Sequence, residues 1–501
     1  MRERRAEAAS MLPSVREWAN QLFSRASGAP LREGNRVTLL KDASANYPAW
    51  LKAIGSARQT IDFEMYIIHE DEQGQRFAEA LLRKAAEGIR IRLLYDWMGG
   101  FRKTSARFWN RLRAGGIDVR CYNPPGFDRP LGWLSRDHRK TITVDGAIAF
   151  VTGLCVGQMW VGDSTRHLEP WRDTGLELHG PGVADVEAAF AEAWTAAGGD
   201  GLPTLAREPP PPAGDVSLRV VTTVPNTANL FRVDQLVAAM ARRTLWLTDA
   251  YYAGTAAYVE ALRAAARDGV DVRLLVPGAS DIPLIRPFSR AGYRPLLEAG
   301  IRVFEWNGSM IHAKTAVADG RWARVGSTNL NVASWLGNRE LDVIVEHGPF
   351  AREMEDMFLD DLRNATEVVL QRNRVRAPGA PSRRQRPTTS GGGSGGRVAA
   401  GAVRVGNTVA AAVANTRVLE PVEANIALIA GAILAALAAL AFKYPRGVSY
   451  PLGAFAVWLA AAILYRGIEL HRKTMRAHAK SAGEEASPLS TTEQNRRARS
   501  K

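Results

Sequence analysis

Residues 138–145 read HRKTITVD and residues 312–319 read HAKTAVAD. Both octapeptides place a lysine two residues after a histidine and close on an aspartate five residues later. Side chains alternate along a strand, so His138 and Lys140 share one face of theirs, and His312 and Lys314 share one face of theirs. The same pattern twice in one chain raises the question of whether the surroundings repeat as well.

They do. ALLRKAAEGIRIRLLYD (80–96) pairs with ALRAAARDGVDVRLLVPG (261–278), and LRAGGIDVRCYN (112–123) with LLEAGIRVFEWN (296–307). The upstream stretches RQTIDFEMYII (58–68) and RRTLWLTDAYYA (242–253) hold comparable positions, each with an acid and a tyrosine near its end. Each unit reads as a strand, an amphipathic helix ending at Gly88 or Gly269, another strand, and a second helix–glycine–strand step. An internal duplication is the simplest account, and the alternation predicts α/β layers around a largely parallel sheet. The offset between halves is 184 at Asn123/Asn307 and 174 at His138/His312, so the first half carries about ten extra residues before its motif. That insertion lies in PPGFDRPLGWLSR (124–136). With Phe127, Leu131, Trp133 and Leu134 it reads either as a lipid-touching lip on the site or as a packed surface loop.

The pattern divides the chain into an amphipathic N-terminal segment (1–30), a first lobe (31–206), a second lobe (216–370), a basic linker (371–423), an apolar hairpin (424–470) and a basic tail (471–501). The prolines of REPPPPAGD (207–215) favour an extended, stiff connector between the lobes. In the N-terminal segment, Val15, Trp18, Leu22 and Phe23 recur at helical spacing, which suits an interfacial membrane helix or a helix docked on its own domain. The linker is rich in Arg, Pro, Gly and Ser and too poor in apolar residues to form a core. Residues 424–442 are nineteen without a charge, which at about 1.5 Å each span a bilayer core. A second apolar run at 450–465 completes a membrane hairpin, bounded by Tyr450, Trp458 and Tyr465. Arg466, Arg472, Lys473, Arg476 and Lys480 follow it, against only Lys443 and Arg446 in the connecting loop, so both tails belong on the cytoplasmic side.

Composition agrees with anionic partners. Lys and Arg number 65 against 51 Asp and Glu, a formal charge of +14. Cys121 and Cys155 are the only cysteines, without C-x-x-C or a Cys/His cluster, so neither a disulfide framework nor a structural zinc site is indicated. No metal or other cofactor is expected.

Two motif strands brought together by the duplication would gather His138, His312, Lys140 and Lys314 around one phosphate. One imidazole would attack phosphorus to form a phosphohistidine; the other would protonate the departing alkoxide and then serve as base for the incoming hydroxyl. The lysines would neutralise the non-bridging oxygens. Asp173 in WRDTG and Glu340 in NREL are candidates to hold the imidazoles in the required tautomer. Asp145 and Asp319 read as supports of their strands. The small-residue turns TGLC (152–155) and GSTN (326–329) would let Gly153, Gly326, Ser327 and Asn329 present donors to an oxyanion. His69, His167, His179 and His347 read as surface or supporting residues, and His471 and His478 as parts of the basic tail.

HRKTITVD and HAKTAVADGRWARVGSTNLN resemble the paired HKD motifs of the phospholipase D superfamily. Within it, REGNRVTLLKDASANYPAWLKAIGSARQTIDFEMYII and the second motif are similar to bacterial cardiolipin synthases, over roughly residues 31–370. The resemblance implies a pseudo-symmetric fold of two α/β/α lobes and transfer of a phosphatidyl group between two phosphatidylglycerols with release of glycerol. The motifs alone leave open a phospholipase D or a nuclease of the superfamily with water as acceptor; the apolar hairpin, the basic linker and the family-like flanks favour an anionic phospholipid substrate at a bacterial inner membrane over nucleic acid. The catalytic set it carries over is His138, Lys140 and Asp145 with His312, Lys314 and Asp319; Gly326, Ser327 and Asn329 match the trailing element, and Glu340 the later acid. Two departures stand out: Cys155 occupies the place of the first lobe's trailing asparagine, and the hairpin follows the catalytic part, where many relatives carry it in front.

Overall fold

The Asp-Gly pair that closes each motif reverses the chain. Asp145 and Gly146 have φ of 54° and 64°, Asp319 and Gly320 of 53° and 61°. The Ala147 N–H donates to Val144 O (3.0 Å) and the Arg321 N–H to Ala318 O (3.1 Å). Two successive left-handed residues make the tight turn whose twist matches a β-hairpin, which is why aspartate and glycine sit there.

The structure is a computed structural model and describes residues 15–126, 134–200, 209–281, 289–371 and 374–376, with scattered positions between 432 and 468. The first lobe contributes β1 (Arg32–Lys41), β2 (Thr60–Met65), β3 (Arg90–Asp96), β4 (Asp118–Tyr122), β5 (Lys140–Val144), β6 (Ile148–Thr152) and β7 (Thr174–His179). The second contributes β8 (Val216–Thr223), β9 (Thr244–Thr248), β10 (Asp271–Pro277), β11 (Arg302–Trp306), β12 (Thr315–Ala318), β13 (Trp322–Gly326) and β14 (Glu340–Val345), followed by β15 (Ala365–Gln371) and β16 (Arg374–Arg376). Within the first lobe the order is β1-β7-β6-β5-β2-β3-β4, and the second repeats it as β8-β14-β13-β12-β9-β10-β11 before β15 and β16. The two sheets join edge to edge where β1 runs antiparallel to β8, Arg32 opposite Leu218 and Asn35 opposite Val216.

The expectation of a largely parallel sheet is corrected here. Only β2-β3-β4 and β9-β10-β11 are parallel; the other described ladders are antiparallel. Helical crossovers force parallel neighbours, whereas the Asp-Gly hairpins force antiparallel ones, and the motifs sit on the hairpins.

Helices cover both faces. On one, Asp42–Ser56 and Glu72–Ala86 bury Trp50, Ile54 and Phe77 against Ile61 and Phe63, while Asn229–Met240 and Ala256–Arg267 do the same in the second lobe with Leu230, Val233 and Leu262. Asp71 caps Glu72–Ala86 by accepting from the Gln73 and Gly74 N–H groups at 3.1 Å each, and Thr255 caps Ala256–Arg267. On the other face, Gly182–Ala196 and Gly348–Leu362 share one apolar core that runs through both lobes, from Val151 and Leu176 to Val325, Val343 and Phe350.

The N-terminal helix Val15–Ser27 is docked on its own domain. Phe23 is buried, Arg219 donates to Ser24 Oγ (2.8 Å) and Ala29 O (3.0 Å), and Trp18 and Leu22 stay exposed. The proline connector lies along β1, where the Ala213 N–H donates to Gly34 O (2.8 Å). Phe127, Leu131 and Trp133 of the insertion lie outside the described residues.

Contacts divide the chain into two units, one holding both lobes and the other holding residues 125–132 and 429–501. In the second, residues 449–458 are helical with Tyr450, Leu452 and Val457 exposed. Residues 424–431 and many later positions of the apolar runs lie outside the described residues, as do the linker positions 377–423 and the basic tail. Among the described residues no helix is long and apolar enough to cross a membrane.

Candidate active site

Each motif histidine enters its strand through a contact with the other lobe. The His138 N–H donates to Arg339 O (2.9 Å) and the Arg339 N–H to Arg136 O (2.7 Å); in mirror fashion the His312 N–H donates to Arg172 O (2.7 Å) and the Arg172 N–H to Met310 O (2.9 Å). These exchanges place Glu340, from the second lobe, beside His138 and Asp173, from the first, beside His312. Nδ1 of His138 lies 2.8 Å from Glu340 Oε2, and Nδ1 of His312 lies 2.7 Å from Asp173 Oδ2. A carboxylate at Nδ1 fixes the proton there and leaves the lone pair on Nε2, the form that can attack phosphorus.

Arginines one residue before each carboxylate lock this exchange. Arg172 makes a bidentate pair with Asp361 at 2.8 and 2.9 Å. Arg339 reaches back to Glu192 and to the Tyr122 hydroxyl (2.9 Å). Arg-Asp in WRDTG and Arg-Glu in NREL were the available signal for these arms, which motif reading missed.

All four motif side chains are buried. Lys140 donates to His138 O, with Nζ 5.0 Å from the Tyr66 ring centroid. Lys314 Nζ lies 2.9 and 3.0 Å from the two ring nitrogens of His312 and donates to its carbonyl. Burial, then Lys140, Lys314 and His312, hold the His138 imidazole well below its usual pKa. Burial and Lys314 bring His312 to about 4 despite Asp173. Two groups from the opposite lobe thus act on His138, so the four side chains occupy one site, with both rings neutral near pH 7. Lys314 is brought down to about 8 by burial and by Lys140, against the pull of Asp173 and Asp249. Burial raises Asp173, but His312 and Lys314 outweigh it and hold its carboxyl low; burial prevails at Glu340, which is raised.

Around the pairs sit residues that the motifs did not disclose. The Tyr66 ring is 4.8 Å from His138, and Tyr251, Trp160 and Trp171 surround His312 at 5.8, 5.7 and 5.6 Å. Trp160 Nε1 donates to Asp173 Oδ2 (3.0 Å), Ser327 Oγ to Glu340 Oε2 (2.6 Å) and Asn338 Nδ2 to Glu340 Oε1 (3.1 Å). The tyrosines near the ends of the upstream repeats were a usable sign; nothing in the spacing marked Trp160.

Asp145 and Asp319 lie where the reading of the residues placed them, as supports of their strands, and not among the reacting groups to which the resemblance assigned them. The Asp145 carboxylate accepts from the N–H groups of Arg58, Gln59 and Thr60 (2.7–2.8 Å), and Asp319 from those of Arg242, Arg243 and Thr244 (2.8–3.0 Å), at the far end of each motif strand. At Gly153, Gly326 and Ser327 the backbone is not a free donor to an oxyanion. The N–H groups of Gly153, Gly326 and Ser327 already donate to Thr174, Lys314 and Leu341 carbonyls, because the strands continue through the turn. Their smallness serves packing: a Cβ on Gly153 would fall 2.2 Å from Asp173 Oδ1, and one on Gly326 2.5 Å from Asp342 Cα. Asn329 is buried, its Oδ1 without a partner among the described residues. Cys155 is buried at the matching place in the first lobe, where burial raises its thiol against the pull of Lys140 and Lys314. His69, His167, His179 and His347 stand apart: His179 pairs with Glu177 and His347 caps Gly348–Leu362. Among the described residues no group of three or more His, Cys, Asp or Glu could hold a metal.

The family profile for "Cardiolipin synthase, PLD-like domain" matches residues 50–156 and 237–362, covering both motifs. Cardiolipin synthase A of Pseudomonas aeruginosa is 36% identical over 355 residues, 69% of this chain and 70% of that protein. The chain belongs to the cardiolipin synthase family, among the phospholipase D-like enzymes. Cardiolipin synthase A of Pseudomonas putida is 32% identical over 366 residues, 71% of this chain and 74% of its own. Among solved structures, phosphatidylserine synthase of Haemophilus influenzae has the same fold, with a TM-score of 0.56 at 13% identity over 69% of this chain and 91% of that one. The chain carries a phospholipase D-like domain in two segments, and it is an enzyme of that family.

Proposed function

We propose that the enzyme condenses two phosphatidylglycerol molecules into cardiolipin and glycerol. The observation that carries this reading is the crossed pair of imidazoles, each with Nδ1 held by a carboxylate from the other lobe and with Lys140 and Lys314 beside them. Nε2 of one histidine attacks phosphorus of the first lipid, the bond to the glycerol headgroup oxygen breaks, and the other histidine supplies the proton that releases glycerol. The bound phosphodiester's negative charge favours the protonated form of that second ring. The ring, now neutral, takes the proton of the second lipid's headgroup hydroxyl as that oxygen attacks the phosphohistidine. Phosphorus passes to the new oxygen and the nucleophilic histidine is regenerated. Lys140 and Lys314 balance the charge of the five-coordinate states. Ser327 and the small residues Gly153 and Gly326 shape the support of the carboxylates, and Asn329 contributes an amide to the substrate phosphate. No cofactor enters the scheme, and turnover in excess chelator tests that.

The two-lobed domain spans 31–206 and 216–370 in this reading, and the apolar runs 424–442 and 450–465 form a hairpin that anchors it on the cytoplasmic side of the membrane. Their lengths, the exposed Tyr450, Leu452 and Val457, and the basic residues after the second run support this. The test uses purified enzyme with labelled phosphatidylglycerol as sole lipid. Cardiolipin with equimolar glycerol is expected, and none from His138→Ala or His312→Ala. Phosphatidic acid as product would mean that water is the acceptor.

A further inference from the structure

The reacting histidines are only 7% and 5% exposed, so a lipid phosphate must pass the loops at the carboxyl ends of the strands to reach them. These loops carry large apolar side chains that stay more than two-fifths exposed. Phe101 follows β3 and packs near Trp97 (5.1 Å), one residue past Asp96, whose carboxylate accepts from the Asp137 N–H beside His138. Val161 and Leu168 follow β6, one residue after Trp160 and three before Trp171, the two rings around His312. Leu336 follows β13, two residues before Asn338 and four before Glu340. All four are between 42% and 46% exposed. Val161 and Leu336 precede the carboxylate arms of opposite lobes, so the apolar rim reaches both halves of the site. Arg102, exposed with its guanidinium 5.6 Å from the Phe101 ring, adds positive charge to the rim, whereas Arg166 is paired with Asp163 at 3.4 Å.

We propose that Phe101, Val161, Leu168 and Leu336 form a bilayer-docking rim that seats the mouth of the active site on the surface of an anionic phospholipid membrane. This inference rests on the lipid reading of the site. The apolar side chains enter the acyl boundary, where they lose contact with water. Arg102 meets the phosphates of neighbouring headgroups. A lipid then presents its phosphate to the histidines while its chains stay in the bilayer. Any anchor elsewhere holds the enzyme near the membrane; the rim sets which face meets it.

The experiment compares two forms of one substrate in the full-length enzyme. The Phe101→Ser/Val161→Ser/Leu168→Ser/Leu336→Ser variant should turn over phosphatidylglycerol in vesicles about tenfold more slowly or worse. It should turn over monomeric dihexanoyl phosphatidylglycerol, below its micelle concentration, at the wild-type rate, with an unchanged unfolding midpoint. Equal losses on both substrates, or no loss on vesicles, would overturn the rim.

A second readout needs no activity. In a Cys121→Ser background, a fluorophore on Leu168→Cys should be quenched by brominated-chain phosphatidylglycerol in the bilayer. The same fluorophore on Leu359→Cys, an exposed position on the helix Gly348–Leu362, should not. Equal quenching at both, or none at 168, sinks the proposal. An inactive enzyme with selective quenching at 168 would instead remove the synthase reading and leave the docking face standing.

Discussion

The two half-sites share a scaffold and differ in nearly every group that supports the histidines. His138 leans on Glu340, which accepts from the side chains of Ser327 and Asn338; His312 leans on Asp173, which accepts from the Trp160 indole and the Thr174 N–H. Where the second lobe has Ser327, the first has Gly153, and where it has Asn329, the first has Cys155. Asp249, next after the Thr248 that stands opposite Thr315, acts by its charge on Lys314, whereas the apolar Met65 stands opposite Lys140. Attack on phosphorus and delivery of a proton are different tasks, so a duplicated site gains from such divergence. The exchange of carboxylates between lobes means that neither half can be completed without the other.

The largest expected difference lies in the carboxylates. Asp173→Asn should lower kcat on the order of 10³-fold, because the amide can present N–H to Nδ1 and invert the tautomer. Glu340→Gln should lose less: the Ser327 hydroxyl can rotate to accept from the new amide, whereas the Trp160 indole and Thr174 N–H can only donate. Equal losses would mean that the donor sets do not distinguish the half-sites.

The arginine arms are next. Removing Arg172 leaves the buried Asp361 to Lys41 alone among its described ion pairs, at 3.6 Å and 40% exposed, and should cost about 3 kcal/mol of stability. Removing Arg339 leaves Glu192, which is 47% exposed and rehydrates, so about 1 kcal/mol is expected. Denaturant unfolding of the two alanine variants orders them.

The motif aspartates sharpen the contrast between reacting and supporting groups. Asp145→Ala and Asp319→Ala each remove the acceptor of three backbone N–H groups and should cost about 1–3 kcal/mol of stability. Turnover of the folded fraction should stay near wild type, and a large loss in kcat at unchanged folding would return these residues to the chemistry.

The smallest effect concerns pH. Lys314, at about 8, is charged below that pH and neutral above it, so turnover should fall severalfold as pH rises through about 8. Arginine stays charged throughout, so Lys314→Arg should move that limb upward in a pH–rate profile even if its maximum rate is lower.

Much of this was legible before any coordinates. The repeats disclosed two lobes and the succession of helices and strands along each, and the spacing of His138 with Lys140 and His312 with Lys314 disclosed groups for one phosphate. Asp173 and Glu340 stood out as acids downstream of each motif. Asp-Gly in both motifs was a readable hairpin signal that argued against a mostly parallel sheet; the helix–strand alternation outweighed it in the reading although it governs only three strands of each lobe.

By itself, then, the sequence determined what repeats within the chain: the duplicated motifs, the helix–strand pattern and the chemical types present. Only the tertiary structure decided which carboxylate serves which histidine, that the arginines cross between lobes, and that Gly153 and Gly326 make room for neighbouring strands while their own N–H groups bond to carbonyls. The physical reason is distance along the chain. His312 and Asp173 are 139 residues apart and His138 and Glu340 are 202 apart. Periodicity reports the face and conformation of a local segment, whereas a pairing across a pseudo-twofold arises when two finished sheets meet and bury their polar groups against one another.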